Sequence, residues 1–535
     1  MQGKKTLTPK LFNSFNLIDR IPEDNFYRRL KSALNLDFLY QATKPYYGKC
    51  GQKSLDPTVF LRICLVGYLE NIISDRQLIR HCSMRLDILY FIDYDIDDEL
   101  PWHSTISRTR DMFPDIIFSE LFEKVLSMCM EKGMVLGKTQ AIDAAPVKAN
   151  ASMESLELKV PEEELEDHLR KVRSMSQSDK KELKNNKASE DQKTLTATDK
   201  ELKAIASRTK NWSSKQETKP GASSKGAKYT SNKTHYSPSD PDARISVKPG
   251  KARKLNYHAQ VGVDTANHVI TFMQADFADK HDSRSLIGIV DPLVRKLKNK
   301  GLNVKNILAD TGYSSGENYA DMESRELIAY IPPHGTYKGG PDGFIHYKEQ
   351  DYYLCPNGKK ARFRKVKEEN GSLKKFYATR TADCRECPLK AKCLGKLTQK
   401  RFSVIYYKDE YERAIERGNR SKGQYYKRKR HSTVEPVLGV LTQFMGMRKV
   451  YTRGINNANK QFLMAAAAYN LKKYLRFEKK NQQPQRSEIK SDLKELECLF
   501  MIVFCYRKSI LDKYYKIELL LRYNLTKRSK QLVGV

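Results

Sequence analysis

The chain has no apolar run long enough to suggest a membrane anchor. Its longest near the end, Leu499 to Cys505, is far too short to span a bilayer. The opening residues, MQGKKTLTPKLF, lack the apolar core and the small-residue cleavage site of a secretion signal, so an intracellular protein is expected. Cysteine is sparse as well. Ten in 535 residues, without an export signal, point to reduced thiols or metal ligands rather than a disulfide frame. Acidic residues are in deficit, 64 against 97 lysines and arginines, which leaves a formal charge of +33. An excess of that size implies a polyanionic partner. Aromatics nearly vanish between Asn150 and Thr234, where only Trp212 and Tyr229 occur. Such a stretch cannot bury much apolar surface by itself.

At this length several domains are expected. Residues 1–135 read as a helical leader. Asp56-Pro57 gives a capping carboxylate followed by proline at the first helical position, and further helices are expected from Ser74-Asp75 and from His103-Ser104. Arg76, Arg80, Arg108 and Arg110 lie on these helices. They suit either a helix-turn-helix-like DNA reader or a packing domain with a solvated basic face. Residues 136–150 and 251–334 read as an α/β core interrupted by a charged insertion, 151–250, partly helical and partly disordered. After the insertion come a hairpin (Tyr257 to Asp264, Val269 to Ala275) and a helix from Asp282 to Lys300 that Pro292 should kink or split. A strand ending at Asp310, a helix from about Ser315 and a short strand at Ile328 to Ile331 follow. Gly-rich turns and short aromatic strands over 335–405 suggest a β-rich module. Helices return over 406–475, and 476–535 is a helical appendage without a functional account.

Two apolar runs end on a carboxylate in the same manner. Gln140-Ala141-Ile142 leads to Asp143; Ile307-Leu308-Ala309 leads to Asp310, with Thr311-Gly312 breaking the strand at once. A strand-end aspartate alone is most simply a turn former, but sites in α/β sheets assemble at the carboxyl ends of strands. Glu435 supplies a third carboxylate on an expected helix. Three such groups, if the fold brings them together, suit two hard divalent ions about 4 Å apart, which activate an attacking oxygen and stabilise a leaving one. With the insertion removed, the order of elements is that of an RNase H-like mixed sheet.

The stretches carrying these acids, QAIDAAPVKANAS, ILADTGYSSGEN and HSTVEPVLGVLTQFMGMRKVYTRG, resemble the three acidic motifs of insertion-sequence DDE transposases. DPTVF, ISDRQL and PWHSTISRTR look like the helical leader of that family, and the likeness spans roughly residues 40 to 475. The resemblance implies an RNase H-like catalytic core with insertions and Asp143, Asp310 and Glu435 as ligands of Mg²⁺ or Mn²⁺. It also implies a DNA transposase that binds the terminal inverted repeats of its element, cleaves, and joins 3′-hydroxyl ends to target DNA, acting as a homodimer in the nucleoid of a prokaryotic cytoplasm. One departure concerns the residues around the glutamate. Relatives often carry Tyr, Arg and Lys at minus seven, minus four and plus seven, where this chain has Arg428, His431 and Thr442.

Cys384-x2-Cys387-x5-Cys393, with Cys355 upstream, fits either a structural zinc site or reduced cysteines packed in a β module. Basic residues interleaved with aromatics (Lys427, Arg428, Lys429 and Arg430, then Arg448, Lys449 and Arg453) are candidates for phosphate contacts, as is Lys148 just past Asp143. Two rivals remain at this level: an RNase H-like nuclease without strand transfer, and a catalytically inactive DNA-binding derivative.

Overall fold

A computed structural model describes residues 16–48, 50–51, 54–159, 231–246, 252–334, 339–369 and 372–477, with residues 5, 197 and 202. Most of the charged insertion and residues 478–535 lie outside the described residues, and so do the expectations that fall on them.

The leader folds as helices α1 (Leu17–Arg20), α2 (Phe26–Ala33), α3 (Phe38–Thr43), α4 (Pro57–Leu69), α5 (Asp75–Ser83), α6 (Leu86–Phe91), α7 (His103–Met112) and α8 (Asp115–Glu131). The start signals read from the sequence hold. Asp56 accepts from the amides of Thr58 (2.7 Å) and Val59 (3.3 Å), and Ser74 caps α5. Almost every residue of α4 is buried, so it forms the centre of the bundle rather than an amphipathic wall.

The core sheet contains β1 (Thr139–Lys148), β4 (Arg244–Ser246), β5 (Lys254–Asp264), β6 (Ile270–Phe277), β7 (Asn306–Leu308) and β8 (Ile328–Tyr330). Two short strands in the insertion, β2 (Glu157–Leu158) and β3 (His235–Tyr236), pair with each other. Strand β1 lies between antiparallel β5 and parallel β7; β6 pairs on the far side of β5, and β8 continues parallel beyond β7. Helices α9 (Asp282–Asn299) and α10 (Gly316–Ser324) connect the later strands. Pro292 neither ends nor splits α9. Leu286, Ile289, Val290, Leu293 and Leu297 are all buried along it, enough apolar area to offset the roughly 3 kcal/mol an internal proline costs.

The β-rich module is a separate sheet of β9 (Ile345–Tyr347), β10 (Tyr352–Leu354), β11 (Lys360–Glu369), β12 (Ser372–Ala378) and β13 (Arg401–Ile405), in the order β13-β12-β11-β10-β9. Its small core is Tyr353, Ala361, Tyr377 and Val404. Short helices α11 (Thr381–Arg385) and α12 (Lys390–Cys393) carry Cys384 and Cys393, with Cys387 between them and Cys355 in the turn after β10. Then come α13 (Lys408–Asn419), α14 (Ser421–Phe444) and α15 (Ile455–Arg476).

Helix α15 is buried on nearly all sides and packs against α4 and α8 of the leader and against β6 of the core. Strand β6 has only β5 as a partner, so its outer backbone groups need other hydrogen bonds. Two asparagines of α15 supply them. Asn470 accepts from Ile270 N (2.9 Å) and donates to Ile270 O (2.8 Å), and Asn459 accepts from Ala275 N (3.0 Å). Leader and core therefore share one buried helix.

Candidate active site

Sheet register places the two aspartates. Ala141 of β1 is aligned with Leu308 of β7 in the parallel pair, and Asp143 and Asp310 each stand two residues further on. Neighbouring strands lie about 4.8 Å apart, so the two carboxylates project side by side where β7 stops pairing. Asp143 is not the end of its strand, as the sequence suggested: β1 continues to Lys148 because β5 pairs with it throughout.

Both carboxylates hold one guanidinium. Arg430 of α14, 7% exposed, donates from Nη1 to Asp143 (2.8 Å) and from Nη2 to Asp310 (3.4 Å). Burial pushes the Asp143 carboxyl up from its ordinary range, and the Arg430 guanidinium opposes that shift. Beneath them Tyr313 is fully buried and donates to Gln260 Oε1 (3.0 Å). Burial raises its phenol, and the carboxylates of Asp282, Asp143 and Asp310 around it add to the effect. Asp282 reaches over the Asp310 turn. A Cβ on Gly312 would come within 2.8 Å of its Oδ2, which explains why the turn after the aspartate is glycine.

Glu435 is five residues beyond Arg430 on α14, about 140° further round the helix axis. It is half exposed and accepts His431 Nδ1 at 2.7 Å. Among the described residues no group of three or more His, Cys, Asp or Glu is gathered closely enough to hold a metal ion, so Glu435 does not join the aspartates here. The neighbouring glutamates Glu410, Glu412 and Glu416 form ion pairs along α13, the ordinary charged face expected of them.

The cationic candidates divide. Arg110 is not offered to a duplex: it forms two hydrogen bonds to Asp75 (2.9 and 2.7 Å), pinning α7 to α5. Arg430 likewise faces inward. The sequence placed it in the basic run, yet it also lies on the stripe with Thr433, Val434, Val437 and Leu441 that α14 buries; that stripe was the available signal. Arg108, Lys427, Arg428, Arg448 and Arg453 are exposed, and Lys429 is half-buried. Lys148 and Lys449 are brought together by a bridge between the end of β1 and the segment after α14, where Val450 N donates to Lys148 O (2.7 Å). Tyr313 carried no sequence signal of its own; an isolated His281-Asp282 pair near the site reads from sequence as more often structural, yet Asp282 stands beside the Asp310 turn.

Cys384 is buried against Thr379 Oγ1 (3.1 Å). Cys355 Sγ accepts from Lys359 N (3.3 Å), and Cys387 Sγ accepts from Asn357 of the same turn (3.5 Å). The turns bearing Cys355 and Cys387 thus touch, while the four thiols are not drawn into one cluster.

Two stretches of the chain match family models. Residues 15–112, from α1 to α7, match a transposase domain (DUF772), and residues 354–475 match a transposase DDE domain. Both are transposase domains. The resemblance of the sequence to insertion-sequence DDE transposases therefore stands at both ends of the described chain. The DDE match covers Glu435, Arg430 and the cysteines; Asp143 and Asp310 lie outside it. No curated protein matches the chain. Among the described residues no helix is long and apolar enough to cross a membrane.

Proposed function

We propose that the chain is a DNA transposase with an RNase H-like core, which binds the terminal inverted repeats of its element, cleaves there, and transfers the freed 3′-hydroxyl ends to target DNA. The observation that carries this is the pairing of Asp143 and Asp310 across parallel β1 and β7, both turned to one cation. The sheet order β6-β5-β1-β7-β8, with β5 antiparallel and β7 and β8 parallel to β1, supports the RNase H-like reading.

The donor set fits a hard cation: two carboxylates already share the charge of one guanidinium. Asp143 and Asp310 would hold Mg²⁺ or Mn²⁺, with Glu435 as third carboxylate, and the bound ions would activate the attacking oxygen and stabilise the leaving one. The residues of the chain do the rest. Gln260 and Tyr313 fix the floor of the site, and Gly312 leaves room for Asp282 beside the Asp310 turn. Lys148 and Lys449 flank the end of β1, where a phosphate entering the site would pass. Two element ends held together call for a homodimer on DNA.

The test is cleavage of a labelled duplex carrying the element's own ends, with Mg²⁺ or Mn²⁺. Wild type should cut at the boundary and join the product to a second duplex, and Asp310→Asn should lose at least a hundredfold in rate. Glu435→Gln should lose activity comparably. Cutting without joining would make the chain a nuclease; binding without cutting would make it a non-catalytic DNA-binding protein.

A further inference from the structure

The β-rich module has two unlike faces. Residues directly opposite one another in a sheet point to the same side, so register sorts its side chains. Tyr353, Ala361, Phe363, Tyr377 and Phe402 share the inward, aromatic face, with Tyr353 and Tyr377 rings 4.9 Å apart. The other face carries a row running Tyr347, Tyr352, Arg362, Ala378, Arg401 across all five strands. Lys360 lies on that face two residues before Arg362. A register shift between Phe363 and Lys365 then returns Lys365 and Lys367 to it, opposite Phe376 and Lys374.

This face is of nearly one sign. Lys360, Arg362, Lys365, Lys367 and Arg401 are exposed, and Glu369 at the ribbon tip, paired with Lys374 (3.0 Å), is the acid beside them. Arg362, Lys365 and Lys367 form no ion pair with a described residue. Lys367 stands directly opposite Lys374, and Glu369 offsets the charge of Lys374 alone. Lysines on a free edge guard against stray strand pairing, and that accounts for part of β11. It does not account for Arg362, which is flanked by β10 on one side and β12 on the other. Nor does it account for the tyrosines beside it, whose rings stack at 4.9 Å and 8° with Lys360 Nζ 4.4 Å from the centre of the Tyr352 ring.

Shape narrows the partner. Beyond Arg362, β11 is an open edge with only β12 as a neighbour, and β13 backs β12 from Lys374 to Ala378, so the face runs on as a cationic strip three strands wide. Cations spaced about 7 Å apart along a strand suit the phosphate backbone of a duplex laid across that strip. We propose that the outward face of this sheet, along its β11 edge, is a docking surface for duplex DNA, distinct from the carboxylate site. The proposal rests on the reading of the chain as one that acts on DNA, and it assigns that contact to residues outside the leader helices and outside α14.

The experiment measures binding of the full chain to a duplex carrying the element ends, by fluorescence anisotropy across about 50 to 200 mM salt. Arg362→Gln/Lys365→Gln/Lys367→Gln should bind at least tenfold more weakly and lower the slope of log Kobs against log salt by about 2 to 3, close to 0.9 for each phosphate no longer neutralised. Lys298→Gln/Lys300→Gln/Lys305→Gln, an equal loss of charge on and after α9, should leave both unchanged. Arg362→Glu alone, a reversal at one exposed site, should reproduce the direction and serves if the triple variant melts early. Unaltered slope and affinity in the triple variant, with wild type binding normally, would overturn the docking surface alone. Equal losses from both triple variants would overturn it too, since bulk charge would then suffice. Wild type failing to bind the duplex would overturn the DNA-acting reading itself. Stronger binding of the single strand of the same sequence would overturn the assignment to duplex.

Discussion

Arg430 gives the carboxylate centre a property that its two aspartates alone would not have. Asp143 is mostly buried, and a buried carboxylate without a counter-charge is costly. The guanidinium supplies that charge when no divalent ion is bound. Replacing it with a neutral side chain, Arg430→Gln, should therefore lower stability in chelator by roughly 3 kcal/mol. Adding Mg²⁺ or Mn²⁺ should then raise the melting temperature of the variant by more than that of wild type. Chemical denaturation and thermal melts with and without metal read both effects directly. Equal melting of variant and wild type in chelator would separate Arg430 from the stability of the centre. The sequence made the aspartates legible because each closes an apolar run, and Gly312 marks the turn. Arg430 was misplaced because its neighbours Lys427 to Lys429 face solvent, and a run of like residues hides which one its helix turns inward.

At the level of elements, α14 is positioned by its corner with α13. A Cβ on Gly423 would collide with Arg417 O and lie 2.5 Å from Gly418 O, contacts with backbone that no side-chain rotation relieves. Gly423→Ala should cost about 2–3 kcal/mol and move the helix that bears Arg430 and Glu435. Its signature is loss of cleavage together with stability; retention of both would show that the corner repacks freely. Elements of this kind were read with uneven success. The β5–β6 hairpin and the helix starts followed from alternation and capping, which are local. The continuity of α9 through Pro292 did not, because the burial that sustains it comes from the sheet. The two faces of the β-rich module were equally hidden, since one register shift in β11 reverses which side its lysines take.

The whole described molecule is tied together partly by a titratable latch. Asp240, in the last part of the insertion, is fully buried and accepts from Tyr257 Oη at 2.6 Å and from Gly454 N, just before α15, at 3.0 Å. Burial raises its carboxyl from 3.8 to about 6. The folded chain thus holds a proton there that the unfolded chain has released between those values. Its contribution to stability is greatest below about pH 4, declines as pH rises through 6, and is level above; the span is roughly 3 kcal/mol. Asp240→Asn keeps an acceptor oxygen and removes the titration. Compared with wild type, its unfolding free energy should lose the downward slope between pH 4 and 6 and lie higher at pH 8. Parallel pH profiles for the two proteins would contradict this. The leader expected over 1–135 and the core share α15 of the 406–475 stretch, and sequence spacing says nothing of which distant helix completes a core.

Helix α15 bears on how the chain is made. The leader helices emerge from the ribosome early, but the helix that fills the space between α4, α8 and β6 is among the last described residues to be synthesised. At ordinary elongation rates some 340 residues separate α8 from the end of α15, a wait on the order of half a minute. Throughout it the apolar sides of α4 and α8 stand uncovered, joined by the open edge of β6 once that strand is made. A nascent chain truncated before residue 455 would present all three at once, so synthesis of this protein should lean on chaperones until its final helix arrives.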